Sequence, residues 1–294
     1  MVIKNKKAKM LKAKRKTPLP YFLTVPAILL FGTFTFFPFA KTILYSFAKI
    51  SKSGQFEKWV GTVLWEKILG NSETWTIVGA TLKFAAVNMV LTFFVALLFA
   101  LLCVKVCKGN KLYQTLFAIP MAIASSPAAA IWLFIYRQDA GLLNQILGTN
   151  IDWLHSENTA LLAISVVTAW MHIGHSFLFL MVGFRNVSED LIEAATLDGA
   201  GAWTRTVKVL IPMASPQIFY VVFLNITSAF KSFAQIRLLT GGSFGTKTLV
   251  MASYTARNSG NYTYSYIYSI MLFIIIFVVT RIQFMFEKRL VHYQ

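Results

Sequence analysis

Six apolar runs divide the chain, each long enough to cross a bilayer core, which takes roughly 20 residues per helix. They are Tyr21 to Phe47, Trp75 to Val106, Leu112 to Tyr136, Thr159 to Phe184, Ile211 to Ala234 and Tyr264 to Phe286. None alternates apolar and polar positions as barrel strands do, and lipid leaves unpaired backbone groups unsatisfied, so each run predicts an α-helix. The fold class this predicts is an all-α integral membrane protein with six transmembrane helices.

Charge orients those helices. Lys4, Lys6, Lys7, Lys9, Lys12, Lys14, Arg15 and Lys16 precede the first run, and Lys105, Lys108, Lys111, Arg185, Arg205, Lys208, Arg281, Lys288 and Arg289 fall on the same side. The opposite loops carry fewer bases, chiefly Lys49, Lys52, Lys58, Lys67, Arg137, Arg237, Lys247 and Arg257. Basic loops stay inside, so both termini are expected in the cytoplasm, in a bacterial-type inner membrane. The organisation predicted is a basic tail over 1–20, a membrane domain over 21–286 with a cytoplasmic loop at 186–212, and a short cytoplasmic tail over 287–294. The first run is much longer than the apolar part of a secretory signal and lacks a small-x-small cleavage site, so it reads as a retained helix.

Composition agrees with a membrane chain: 56% of the 294 residues are hydrophobic and 13% charged. The formal net charge of +17 arises from bases that flank apolar runs, which argues for lipid and against nucleic acid as the partner. Cys103 and Cys107 stand four apart at the cytoplasmic end of one predicted helix, a geometry and a compartment that disfavour a disulfide. Trp75, Trp153 and Trp203 fall near predicted interfaces.

The most informative polar segment joins the fourth and fifth runs. Ser188 is a suitable N-cap and Glu189 and Asp190 suit the positive end of a helix dipole, predicting a helix through Ala195. Asp198 and Gly199 supply its stop, because glycine adopts the left-handed conformation cheaply. A second helical stretch is expected through Val209, with Pro212 marking the start of the fifth span. The result is a helix-turn-helix on the inner face. Ala194 and Ala195 give it a flat side, and Glu193 a polar handle.

The order Glu193, Ala194, Ala195, Asp198, Gly199, Ala200, followed by Trp203 and Ile211-Pro212, resembles the cytoplasmic signature of permeases from binding-protein-dependent ABC importers, in particular the carbohydrate-uptake group. Tyr21, Phe22, Leu23 and Pro26, and the run Leu238 to Gly242, are similar to the same group, with an opening like that of the first permease of a heterodimer. Thr206 stands where the family usually has an aromatic residue. The resemblance implies that Glu193 to Gly201 dock on an ATP-hydrolysing subunit. It further implies a second permease, two copies of that ATP-binding subunit holding ATP and magnesium, and an extracytoplasmic solute-binding protein. No cofactor is expected in this chain.

Phosphate-loop chemistry is missing from the sequence. Gly241 to Thr248 is glycine-rich, but Lys247 does not follow a glycine and the segment falls on the outer side, so ATP hydrolysis is assigned to another chain. Polar residues within spans mark candidate path positions: Ser125 and Ser126 beside Pro127, where a disturbed helix can expose backbone acceptors, Thr168, His172 and His175 on one side of the fourth helix, and Asn225, Ser228 and Ser232 on the fifth. Helix-to-helix hydrogen bonding is the competing reading. A metal at His172 and His175 would need further ligands. Within the resembled family, positions around Thr168 to His175 and Ser228 to Ser232 face the solute, with Trp170, Phe230 and Tyr268 available as aromatic faces for a sugar. Lys231 either meets an anionic solute or snorkels to the outer surface. The solute expected is a neutral sugar or oligosaccharide, with an anionic sugar or polyol phosphate as the alternative. An ion-coupled transporter is disfavoured because Asp and Glu are confined to loops and ends, and the two histidines are the sole hint of a membrane enzyme.

Overall fold

The computed structural model describes residues 19–104 and 110–290; the basic leader, Lys105, Cys107, Lys108 and residues 291–294 lie outside them. Among the described residues four helices are long and apolar enough to cross a membrane, and two bent helix pairs bring the number of spans to six. Helix α1 (Leu19–Phe31) runs through a π-helical stretch at Gly32–Phe36 into α2 (Phe37–Tyr45), and together they make the first span. Through α2 it packs on the last helix, with Phe39 against Phe273 at 4.8 Å and Tyr45 edge-on to Tyr266 at 5.8 Å.

After a β-hairpin (β1, Ala48–Ile50; β2, Phe56–Trp59) and a short helix α3 (Val63–Leu69), α4 spans Ser72–Cys103. Its 32 residues reach about 48 Å at 1.5 Å per residue. A hydrocarbon core is about 30 Å thick, so the outer third of α4, up to the exposed Lys83, projects beyond it. Asn71 caps α4, its side-chain oxygen accepting from the Glu73 N–H at 2.9 Å. The buried face of α4 carries small residues at helical spacing, Ala85, Asn88, Thr92, Ala96 and Ala100. Such residues let helix backbones approach closely where no hydrophobic force separates helix from lipid. This face meets α8 (Ala160–Arg185) along its length, and Asn88 donates across the seam to the Ser165 carbonyl at 3.2 Å.

Neither the third nor the fifth run forms one unbroken helix; the third is interrupted beside Pro127, where a disturbed helix is expected. The third is α5 (Asn110–Ala122) followed by α6 (Ser125–Ile135), bent by 105°. Pro127 has no N–H for the carbonyl of Ile123, four residues back, and its ring clashes with that carbonyl, so the chain turns through an extended Ala124. The fifth bends by 71° between Ala202–Met213 and Ser215–Phe230. Here Pro216 disrupts the bond to Pro212, and the corner falls at Ala214, two residues past the Pro212 start that the sequence suggested.

The remaining elements form a cap at one end of the spans: the hairpin, α3, α7 (Leu142–Leu147), α13 (Ala234–Leu239) and α14 (Leu249–Asn258); at the opposite end α9 (Glu189–Leu197), α10 (Ala202–Arg205) and α11 (Ile211–Met213) precede the span helix α12 (Ser215–Phe230). The last span is α15 (Tyr262–Leu290). Hydroxyls stitch the cap to the spans. Thr263 accepts from the Ile50 N–H at 3.1 Å and donates to the Ala48 carbonyl at 2.9 Å, and Thr81 accepts from the Leu249 N–H at 2.9 Å. Asn144 organises the loop after α7, accepting from the Trp153 indole at 2.8 Å and donating to the Ile151 carbonyl at 2.8 Å. The hairpin holds the only strands among the described residues, the one departure from an all-helical chain.

Two glycines set how closely α8 is packed. A Cβ at Gly174 would lie 2.4 Å from the Phe117 carbonyl of α5, and one at Gly183 would lie 2.6 Å from Gln217 Cβ at the start of α12. Gly174→Ala is expected to cost about 1–3 kcal/mol by forcing α5 and α8 apart. Gly79→Ala, where a Cβ meets nothing within 4 Å, is expected to be neutral or to stabilise by up to about 1 kcal/mol. Thermal unfolding of the two variants in nanodiscs checks the pair.

Candidate coupling segment and solute cavity

The segment between the fourth and fifth runs forms α9 (Glu189–Leu197), a turn, and a second stretch of α10 (Ala202–Arg205), a π-helical turn at Thr206–Leu210 and α11 (Ile211–Met213). Ser188 holds the N-cap position, but its side chain makes no capping hydrogen bond, so Glu189 and Asp190 are left to serve that end. The helix runs two residues beyond the expected Ala195. Its end is closed by two backbone bonds, Gly199 N–H to the Thr196 carbonyl at 3.1 Å and Ala200 N–H to the Ala195 carbonyl at 2.9 Å. This is a Schellman cap, and it needs the φ of +78° that Gly199 adopts.

Gly199 is the left-handed stop that the sequence predicts, while Ala195 and Ala200 have a backbone role in the same turn that the sequence does not announce. The turn is braced by Arg205, whose guanidinium donates to the Thr196 hydroxyl. Thr206, in place of the family's aromatic, donates to the Ala202 carbonyl at 2.9 Å. Glu193, Ala194 and Asp198 are exposed, while Ala195 and Ala200 are half-buried. Leu197 and Trp203 are 89% and 79% exposed, an apolar pair on either side of the turn. Trp203 stands near a predicted interface in the sequence; Leu197 carries no such signal there. Above this segment lies a cavity of about 1080 Å³ lined by Glu193, Arg185, Arg205, Ile192 and the end of α4.

Deeper in the membrane, α8 and α12 enclose a cavity of about 280 Å³. His172, His175, Asn225 and Ser228 line it, joined by Ser176 and Phe179. On α8 the spacing 172, 175, 176, 179 is one helical face. The Ser176 hydroxyl donates to Asn225 Oδ1 at 2.8 Å. Thr168 is fully buried and turns its hydroxyl back to the Ile164 carbonyl at 2.8 Å. Ser232 donates to Gln235 at 3.1 Å beyond the end of α12, and Ser125 and Ser126 sit at the corner that begins α6; neither group reaches this cavity.

The expected aromatic faces lie elsewhere. Trp170 packs edge-on to Trp132 at 5.7 Å, Phe230 is buried in a cluster with Ala85 and Ala229, and Tyr268 packs against the outer core around Ile77 and Leu249. Phe179 is the aromatic lining residue. Lys231 is exposed at the carbonyl end of α12. Among the described residues no third His, Cys, Asp or Glu joins His172 and His175 in a metal-binding group. Lys247 is paired with Glu73 at 2.7 Å, in a loop of turns between two helices without the strand that a phosphate loop requires.

Residues 93–292 match the model of the binding-protein-dependent transport system inner membrane component family. The chain belongs to that family: it is a permease, the non-catalytic membrane subunit of an ATP-driven importer, and ATP is hydrolysed by a separate subunit. It is 29% identical over 283 residues to the sn-glycerol-3-phosphate transport system permease protein UgpA of Salmonella typhimurium, covering 94% of this chain and 96% of that protein, and equally so to UgpA of Escherichia coli O157:H7. Its fold superposes on a chain of a bacterial ABC transporter that imports the acidic polysaccharide alginate, with a TM-score of 0.84 at 18% identity over 97% of this chain and 100% of that one. A chain of an alginate transporter in complex with its alginate pentasaccharide-bound periplasmic protein gives 0.82 at 17% identity, covering 95% and 96%.

An alanine at 199 would have to adopt the left-handed conformation at a cost of about 1–2 kcal/mol. Gly199→Ala is accordingly expected to speed exchange of the Ala200 amide by about 5- to 30-fold, read by hydrogen exchange, while exchange within α8 stays unchanged.

Proposed function

We propose that this chain forms half of the translocation path for a carbohydrate-class solute delivered by an extracytoplasmic binding protein. Its partners in this reading are a second, similar permease and two copies of an ATP-binding subunit that holds ATP and magnesium. Both termini and the α9 segment lie in the cytoplasm. The likeness to UgpA over nearly the whole chain supports the solute class, and the excess of bases on the inner side supports the orientation.

One observation carries the mechanism. The exposed apolar tip at Leu197 and Trp203 is continuous, through Ala202–Met213 and the corner at Ala214, with α12, whose Asn225 and Ser228 line the intramembrane cavity. Seating α9 in a groove of the ATP-binding subunit buries Leu197 and Trp203, brings Ala194 close to its surface and offers Glu193, Asp198 and the Gly199 turn as polar and shape contacts. Closure of that subunit on ATP then moves the 202–213 arm, and α12 shifts against α8. The cavity is opened alternately to the two sides. His172, His175, Asn225 and Ser228 contact the solute, whereas Thr168, Ser125, Ser126 and Ser232 stand outside this cavity.

The test uses the chain purified with its co-expressed partners in nanodiscs, with ATP hydrolysis measured against a panel of binding-protein-delivered carbohydrates. Stimulation by a carbohydrate is expected; stimulation by amino acids alone would overturn the solute class. In the same assay Gly199→Pro is expected to lower stimulated hydrolysis at least about tenfold. Wild-type stimulation in that variant would overturn the coupling role of the turn.

A further inference from the structure

Where the first span leans on the last helix, a groove opens on either side of it at the cap end. One, of about 570 Å³, is lined by Ile43, Phe47, Leu69 and Ile274 among others and carries no basic residue. The other, of about 510 Å³, runs between α2 and the hairpin of α14 and α15, and Ile270 and Phe273 form the wall the two share. Its polarity is graded. The lining positions 250, 253, 254 and 257 share one face of α14, and 265, 266, 269, 270 and 273 share one face of α15. Arg257 stands at the rim, 5.6 Å from the centroid of the Tyr262 ring. The hydroxyls of Ser253, Ser265 and Ser269 lie deeper, and Val250, Phe39 and Phe273 close the floor. Tyr266 stacks edge-on to Tyr45 at the end of the first span, as interface aromatics do. Phe273 is about 10 Å further along the axis, which carries the groove from the interface into the hydrocarbon.

The charge at the rim has no counterpart in the chain. Arg257 takes part in none of the ion pairs among the described residues, and no Asp or Glu occurs from Gly199 to Phe286 or on α2. Arg237, 4.7 Å over the Tyr254 ring, adds a second cation to the same wall. An arginine in the last turn of α14 offsets the carbonyl end of that helix, but neither this nor the stacking on Tyr262 uses its N–H donors. The serine cluster also has a proton to give. Ser269 donates to the Ser265 carbonyl at 2.8 Å, and the Ser265 hydroxyl can donate to Ser253 Oγ at 3.0 Å, so the Ser253 proton is the one the cluster can spare.

We propose that this groove is a phospholipid site, independent of the solute path and of the coupling segment. The phosphodiester of a lipid in the leaflet on the cap side accepts from Arg257, a glycerol ester carbonyl accepts from Ser253, and one acyl chain lies along Val250, Phe39 and Phe273. A basic pocket between spans at headgroup level is the usual setting for such recognition, and the apolar floor at hydrocarbon depth selects a lipid over a free anion. Bound there, the lipid fastens the first span, which has no buried residue from Gly32 to Tyr45, to the hairpin of α14 and α15.

The experiment places the complete complex in phosphatidylcholine nanodiscs with a trace of one of two probes, phosphatidylglycerol or diacylglycerol, each carrying the same diazirine-tagged acyl chain. Photolabelled residues are mapped by peptide mass spectrometry. Phosphatidylglycerol is expected to label Phe39 and Val250 well above diacylglycerol, while both probes label Ile43 and Ile274 of the other groove alike. That groove is the internal control for bulk lipid and for an intact fold. Arg257→Gln is expected to lower phosphatidylglycerol labelling of Phe39 and Val250 about fivefold or more, with Ile43 and Ile274 unchanged. Equal labelling of Phe39 and Val250 by the two probes would mean bulk lipid only, and no label there would mean that another subunit covers the groove. Either result, or undiminished labelling in Arg257→Gln, would overturn the proposal.

Discussion

Every backbone N–H and C=O inside a bilayer must be satisfied within the protein, and the rest of this structure follows from where that rule is obeyed and where prolines break it. Along α4, α8 and α15 it is obeyed without interruption, giving straight struts of 32, 26 and 29 residues. At Pro127 and Pro216 it fails, and the chain turns corners of 105° and 71°. The second corner is the junction between the inner-face arm and the helix that lines the cavity. A straight fifth helix would continue the 202–213 arm along the axis of α12; the bend turns it aside by 71°.

That junction is also tightly held. Gly183 admits Gln217 at a distance no Cβ would allow, and Ala214 is buried with Phe184 and Val221 in the inner core cluster. A displacement of the 202–213 arm is therefore delivered to α12 and α8 together and is not absorbed at a loose hinge. In the proposed mechanism, close packing of this junction carries a movement at Leu197 to the walls around Asn225 and His172.

Much of this was legible in the sequence. The six apolar runs and the turn at Asp198-Gly199 follow from composition and spacing alone. The disturbance at Pro127 was legible too, but not the angle of either corner, since a run of apolar residues looks the same whatever the turn that a proline imposes on it. The polar residues of the spans were legible only as a set. Thr168, Ser165 and Thr81 all return their hydroxyls to carbonyls four residues back, so helical spacing cannot separate them from His172 or Asn225, which face a cavity. Ser176, Phe179 and the backbone role of Ala195 emerge only when α8, α12 and the turn are placed in space. The outer cap depends on pairings such as Ile50 with Thr263 and Lys247 with Glu73, between residues far apart in the chain.

The central claim is that the tip of α9 is the contact through which ATP-driven motion enters this subunit. It is tested most directly by placing a single cysteine at Leu197, in a chain whose Cys103 and Cys107 are replaced, and asking for cross-linking to the co-purified ATP-binding subunit by a short thiol-to-lysine reagent. The account predicts a cross-linked product whose yield changes when ATP is bound, and protection of that cysteine from maleimide in the assembled complex. A cysteine at 197 that remains freely labelled in the complex and forms no cross-link in any nucleotide state would contradict it.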